Sequence, residues 1–596
     1  MRLTLLTATQ HSFTRATRHE SLQGDPLSRR LLAPLAVAGS FGLALVPSLA
    51  SASTTAIGSA AGGAGVGAVA PALSARPAAS SSQAPSTSAV APRVQHVRTH
   101  TQQATGPNPD LGAGVGFGSA SAFGLNVLPQ VSGYTTPTGK LSVSVDWGDG
   151  QSSSYQNDLN HSFSHEYAGP GTFAVTVTVS DGEGDVSTIA LGGQQTWGTE
   201  YTPYDPVRIL DTRYGLGAPA APVPAGGTLK LSVFGAGASD KPIPSNAVAV
   251  VLNVTATDES ANGFLSVYNN ETSYGGTVSW PGTSNVNFSA HENLPNLVVV
   301  PIGPDGLVDF RNGSSRGSTD IVADIEGYYT ATTASRYVSI NPARILDTRK
   351  GVGTGGKVAK IPANGNITLT VDGAKGSGIP GSGVTALAMN LTAVSGTRNG
   401  VITAYPDGQT LPAVSNLNYP AGGTAANLAM VPVGTGGKIV LHNNSAGAVD
   451  LIVDAFGYYT TAAVTGASAF EPYTVPFRYM DTREGKWTLP ADQPYEVGGS
   501  YASTVTGLLF NATVTQPSGN GFLSLYPYDP KTPRAIPATS NVNFLTGQTV
   551  SNLSIATLSP VPDTSSQPPT YNFGLYLGGH GAAYIILDEF GQFQSK

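Results

Sequence analysis

From Tyr201 to Phe593 one pattern of residues runs through the chain three times. The block Arg208-Ile209-Leu210-Asp211-Thr212-Arg213 returns as Arg344-Ile345-Leu346-Asp347-Thr348-Arg349, then as Arg478-Tyr479-Met480-Asp481-Thr482-Arg483. Asn253-Val254-Thr255 returns at Asn390 and Asn511, and Ser284-Asn285-Val286-Asn287 returns as Ser415-Asn416-Leu417-Asn418 and Ser540-Asn541-Val542-Asn543. Each copy then has an Asn-Leu pair, at Asn296, Asn427 or Asn552. Each closes on an apolar stretch with Asp324, Asp454 or Asp588 ahead of Tyr328-Tyr329, Tyr458-Tyr459 or Phe593. The aspartates of the first block are 136 and 134 residues apart. Solenoid repeats run about 20–50 residues, so this period is that of a domain. The copies are expected at 202–330, 336–460 and 470–593, as homologous β domains each with its own core.

The class follows from what fills the copies. Gly and Pro number 73 and 43, which demands many turns, and charged residues are only 11% of the chain, against about 25% on average. Upstream, Leu141, Val143, Val145 and Trp147 alternate with polar residues, as do Phe173, Val175, Val177 and Val179. A period of two with one apolar face is a strand. Gly148-Asp149-Gly150 and Gly169-Pro170-Gly171 supply the turns between. The fold class expected is all-β.

Val145-Asp146-Trp147-Gly148-Asp149-Gly150, His165-Glu166-Tyr167, Pro170-Gly171-Thr172-Phe173 and Val179-Ser180-Asp181 resemble a PKD domain over residues 111–195. The resemblance implies an immunoglobulin-like sandwich, common on bacterial surface proteins and secreted hydrolases, with no catalytic residues of its own. The order of motifs in the three copies resembles a repeat of actinobacterial secreted and cell-surface proteins, which implies location rather than an activity.

The N-terminal segment carries its own signals. Leu31–Ala50 is apolar, follows Arg29-Arg30 and ends at Ala50-Ser51-Ala52, the spacing accepted by a signal peptidase. Residues 1–52 therefore read as a secretory signal. Residues 53–110 are Ala-, Ser-, Gly- and Pro-rich and cannot bury enough surface to offset ordering, so they read as a disordered linker. The net charge is −7, and loss of residues 1–52 makes it −10. That balance argues against nucleic acid as a partner. After signal cleavage no stretch approaches a membrane span.

Without cysteine, disulfides, thiolate metal sites and Cys nucleophiles are excluded. His291, His442 and His580 fall at different places in the three copies, so no histidine site recurs. Gly313-Ser314-Ser315-Arg316-Gly317 matches a nucleophile elbow by letters, but the β-rich stretch after it cannot supply the helix an elbow needs. Gly351–Gly356 matches a dinucleotide loop and is likewise followed by a strand pattern. Asp146 and Asp149, and Asp181, Glu183 and Asp185, read as solvated turn acids, too few for a calcium site. No catalytic, metal or cofactor site is expected.

What recurs is a polar set: Arg208, Asp211, Arg213, Ser284, Asn285, Asn287 and Asp324, then Arg344, Asp347, Arg349, Ser415, Asn416, Asn418 and Asp454, then Arg478, Asp481, Arg483, Ser540, Asn541, Asn543 and Asp588. These residues are structural or candidate binding residues. As structure, Asp211 and Arg213 pair with neighbours or with Asp324, and the Asn side chains satisfy buried backbone. As binding residues they form a glycan pocket, with Tyr268, Tyr405 or Tyr526 as a stacking face. The function expected is a noncatalytic secreted or cell-surface structural or adhesive protein. The alternative is a carbohydrate-binding accessory acting through multivalent repeats on a cell-wall or extracellular polysaccharide. Partners would be an extracellular glycan or a surface protein; the oligomeric state stays open.

Overall fold

The computed structural model describes residues 30–32, 108, 110–118, 121–134, 141–156, 161–271, 276–528, 531, 535–560 and 570–596. Among these residues every regular element is a strand. Most of the predicted leader and linker lies outside them. Arg30–Leu32, within the predicted leader, pairs in parallel with the edge strand Pro494–Ser500.

The N-terminal domain is a sandwich of a three-stranded and a four-stranded sheet. Val143, Val145, Val175, Val177 and Val179 point into its core with Trp147, as their alternation with polar residues requires. Asn108 lies in the segment read as linker, yet it is buried and bonds to Asp181 and Asp185.

Each copy of the repeat is a two-sheet sandwich with one strand order. In unit 1 the inner sheet runs Glu200–Asp211, Ser318–Thr330, Ala247–Thr257, Leu294–Pro301. The outer sheet runs Thr228–Ser232, Leu307–Asn312, Gly263–Asn269, Val286–Phe288. In order of appearance these eight strands change sheet at every step but one, from Gly263–Asn269 to Val286–Phe288, which is the winding of a jelly roll. Units 2 and 3 repeat the order, from Arg336–Asp347 to Asp450–Thr460 and from Ser468–Asp481 to Ala582–Ser595. The third unit thus starts two residues before, and ends two after, the expected 470–593.

Each unit encloses its own core between its sheets. A fourth core joins all three, and independent domains do not predict it. It takes Ala249, Val251, Leu297 and Val299 from unit 1, Ala386, Ala388, Leu428 and Met430 from unit 2, and Leu509, Leu553 and Ile555 from unit 3. The inner strands are therefore apolar on both faces. Ala247–Thr257 has ten of its eleven residues buried, the mark of a sheet covered on both sides.

The starts of the opening strands close this core at one end. Tyr201 bridges Ser335, Tyr337 bridges Ser468, and Phe470 bridges Thr199, so unit 1 meets 2, 2 meets 3 and 3 meets 1. The N-terminal domain sits against this end. Gly198 N–H donates to Ala122 O at 2.7 Å, and Ala469 of unit 3 belongs to that domain's core.

Candidate functional site

The Arg-Asp-Thr-Arg block lies where each opening strand leaves the inner sheet. Arg208 Nε donates to Asp324 Oδ1 at 2.8 Å and Nη2 to Oδ2 at 3.3 Å, while Nη1 reaches Asp211 Oδ2 at 3.2 Å. Arg213 forks onto Asp211, Nε to Oδ1 at 2.9 Å and Nη2 to Oδ2 at 2.7 Å. Unit 2 repeats this with Arg344 on Asp454 and Arg349 on Asp347, and unit 3 with Arg478 on Asp588 and Arg483 on Asp481. The expected partner of the closing aspartate was the second arginine. It is the first, because Arg208 lies on the strand paired with Asp324 in register, whereas Arg213 lies beyond it on a turn. The threonine between is also used: Thr212 Oγ1 donates to Asp320 at 2.6 Å and accepts the Ile321 N–H.

The carboxylates are buried and the guanidinium groups are partly open. The Arg208 and Arg213 side chains are 27% and 31% exposed, over Asp324 at 1% and Asp211 at 3%. Hydrogen bonding by Arg213 holds Asp211 below the ordinary carboxylate range, with burial opposing. Burial pushes Asp324 up, and the Arg208 guanidinium pulls it back. A bidentate arginine on a buried carboxylate fixes two strands in register. The six guanidinium groups of these blocks are spent on their own unit's acids.

The Ser-Asn-x-Asn block lies at the seam between units. Asn285 Oδ1 accepts from Val267 N at 2.7 Å, as Asn416 does from Ala404 N and Asn541 from Leu525 N. Asn287 and Asn543 donate to the Oγ of Ser284 and Ser540, whereas Asn418 crosses to Asn293 O of unit 1 at 3.0 Å. Ser415 N reaches Asp324 of unit 1, Ser540 N reaches Asp454 of unit 2, and the Ser284 backbone reaches Asp588 of unit 3. Each closing aspartate therefore ties its own arginine to the next unit in the ring.

Two further asparagines per unit, recurrent in sequence but absent from the candidate set, complete the seam. Asn253 donates to Ser415 O, Asn390 to Ser540 O at 2.6 Å, and Asn511 to Ser284 O. Asn427 Nδ2 donates to Asn253 Oδ1 at 2.8 Å, Asn552 to Asn390 and Asn296 to Asn511, both at 2.9 Å. In return Asn427 Oδ1 accepts from Leu297 N, Asn552 from Leu428 N and Asn296 from Leu553 N. Primary amides both donate and accept, so one residue type closes the same latch three times. The signal for it was the recurrence of Asn-Leu inside an apolar strand.

Six aromatic rings stand beside the latch in a closed circuit. Tyr201 touches Tyr329, Tyr329 Phe470, Phe470 Phe593, Phe593 Tyr337, Tyr337 Tyr459, and Tyr459 Tyr201, with centroids 4.4–5.4 Å apart. Gly327, Gly457 and Gly591 admit these rings, since a Cβ at Gly327 would lie 2.2 Å from Tyr201. One position breaks the symmetry: Glu326 stands where Phe456 and Phe590 do. Its carboxyl accepts from Asn416 Nδ2 at 2.6 Å and Met430 N at 2.9 Å, and burial pushes it up to about 8.

Several expected binding features occupy other places. Tyr268, Tyr405 and Tyr526 are 5%, 6% and 3% exposed, so they offer no stacking face. Asp181 and Asp185 are buried and bonded to Asn108 rather than solvated, because Asn108 lies over their turn. Asp149 bonds His165 Nε2 at 2.8 Å, and His165 stacks on Trp147. Ser314 lies in the loop between Leu307–Asn312 and Ser318–Thr330. Among the described residues no three His, Asp or Glu side chains are grouped to hold a metal ion, and no helix is long and apolar enough to cross a membrane.

Residues 113–191 match the PKD domain family, and the three units after them are identified by no family. No curated protein matches the chain. Among solved structures, a chain from "The Triple Jelly Roll Fold and Turret Assembly in an Archaeal Virus" is similar at 11% identity. The similarity covers 67% of this chain and 90% of that one, with a TM-score of 0.14.

Proposed function

We propose that this is a noncatalytic extracellular protein, a structural or adhesive component of the cell surface. One observation carries the reading. The polar residues that recur three times, the usual place to seek chemistry, are spent on holding strands and units together. Their acids face their own arginines, and their amides face one another. A body built in this way resists unfolding and presents outer sheets to its surroundings. The PKD domain adds an extracellular β-sandwich module at its N-terminal side, and the leader pattern of residues 1–52 supplies the route out of the cell.

Fractionation tests the location. The full chain, expressed in a bacterium with a compatible export pathway and followed by antibody, is expected in the medium or on the wall with residues 1–52 removed. Retention of the full-length chain in the cytosol refutes it. Adhesion is tested with beads bearing the mature chain, which are expected to bind intact cells or isolated walls without releasing soluble sugar or peptide. Release of either product would make the protein a hydrolase.

A further inference from the structure

We propose that unit 1 alone carries a binding platform for a pyranose ring of a polysaccharide, on the outward face of its outer sheet around Trp280. This goes beyond the structural reading and does not depend on it. Trp280 is 40% exposed. Its ring lies over the Arg311 guanidinium at 4.8 Å and stacks beside Phe264 at 6.3 Å and 22°. Its Nε1 donates to Ser266 Oγ at 2.9 Å, which sets the ring's orientation. Arg311 and Ser266 are cross-strand neighbours, so the indole rests flat on the sheet with its other face toward solvent. A fixed aromatic plane is what the C–H face of a sugar ring packs against, and rigidity lowers the entropy lost on binding.

Polar groups for the sugar's hydroxyls stand in the same two rows of the sheet. Thr228 pairs with Arg311, and Lys230 with Asp309. The rows are two residues apart, about 7 Å, which is the width of one sugar ring. Thr228 and Lys230 are exposed, and Arg311 Nη1 donates to the Thr228 hydroxyl at 3.2 Å. Arg311 Nε and Asp309 Oδ1 are buried with no hydrogen-bond partner, and Asp309 itself is 7% exposed. Lys230 Nζ stays 3.8 Å from that carboxylate, short of a hydrogen bond. Unpaired buried polar atoms are costly and call for an explanation.

The other units lack the device at the same register. Val440 and His442 replace Asp309 and Arg311 in unit 2, and Gly574 and Tyr576 do so in unit 3. Trp280 itself comes from the connection 270–285, which is longer than 407–416 of unit 2 and 528–541 of unit 3. Scaffold residues recur in all three units, whereas this group occurs once, as expected of a function added to one copy.

The test is binding of the mature chain to a soluble β-glucan, chitin oligosaccharides and polygalacturonate, read by affinity electrophoresis and tryptophan fluorescence. At least one is expected to bind. Trp280→Ala is expected to weaken that binding at least tenfold, while Trp487→Phe, at a half-buried indole in unit 3, leaves it unchanged. Should Trp280→Ala disturb folding, oxidation of wild-type Trp280 by N-bromosuccinimide replaces it, and bound sugar is expected to protect that residue. Failure of all three sugars to bind, or binding with neither Trp280 dependence nor protection, overturns the proposal and leaves the structural reading intact.

Discussion

Asn427→Ala probes the seam between units where it is most loaded. The wild-type amide serves three buried partners: Asn253 Oδ1 at 2.8 Å, Asn416 O at 2.6 Å and Leu297 N at 3.1 Å. Truncation leaves all three unpaired, in a seam where Asn253, Asn416 and Asn427 are each at most 1% exposed. Each stranded group costs about 1–3 kcal/mol, so the loss is at least about 3 kcal/mol, large against a typical 5–15 kcal/mol total. Asn287→Ala is the control, because that half-buried amide bonds only Ser284 Oγ of its own unit and should cost below about 1 kcal/mol. Urea unfolding of the mature chain, followed by fluorescence and calorimetry, reads the difference. Because the fourth core makes the units interdependent, the wild-type units are expected to unfold in one transition, and the variant earlier or in separate steps. Equal midpoints for Asn427→Ala and Asn287→Ala would show that the latch does not hold the units, and the reasoning would be wrong.

Arg208→Ala should destabilise by about 3–5 kcal/mol, since it strands Asp324 as a buried unpaired charge, whereas Arg213→Ala leaves Asp211 bonded to Arg208 and should cost about 1 kcal/mol; thermal melts of the two variants check the order. Glu326 ionises near 4.5 when unfolded and near 8 when buried, so between those values only the folded chain keeps the proton. Stability is therefore expected to fall as pH rises from about 4.5 to about 8, and to level above it. Glu326→Gln should flatten part of that slope in urea midpoints taken at pH 5 and pH 9; the remainder belongs to Glu259, Glu471 and Glu589, raised by burial to about 7, about 7 and about 8. Limited proteolysis is expected to cut within residues 53–107 first and to stop at Asn108, which is buried; early cleavage inside a unit would count against the shared core.

Much of this protein can be read from its sequence, because strand formation and repetition are local or periodic properties. Alternation at Leu141–Trp147 and Phe173–Val179 specifies strands with one buried face, and the recurrence of Asp-Thr-Arg and Ser-Asn-x-Asn counts three domains. The partners of those residues are another matter. Asn427 bonds Asn253 across 174 positions and Asn552 latches Asn390 across 162, and no spacing along the chain distinguishes such a contact from one within a unit. Arg208, rather than Arg213, meets Asp324 because strand register brings it there. One trace of the assembly was present: Ala247–Leu252 is apolar at six consecutive positions, more than a half-buried strand needs. Its second face had to meet something, and the pattern alone does not say what. Closure of three units into a ring supplied the answer, since only then do those faces leave water and the amides along their seams find partners.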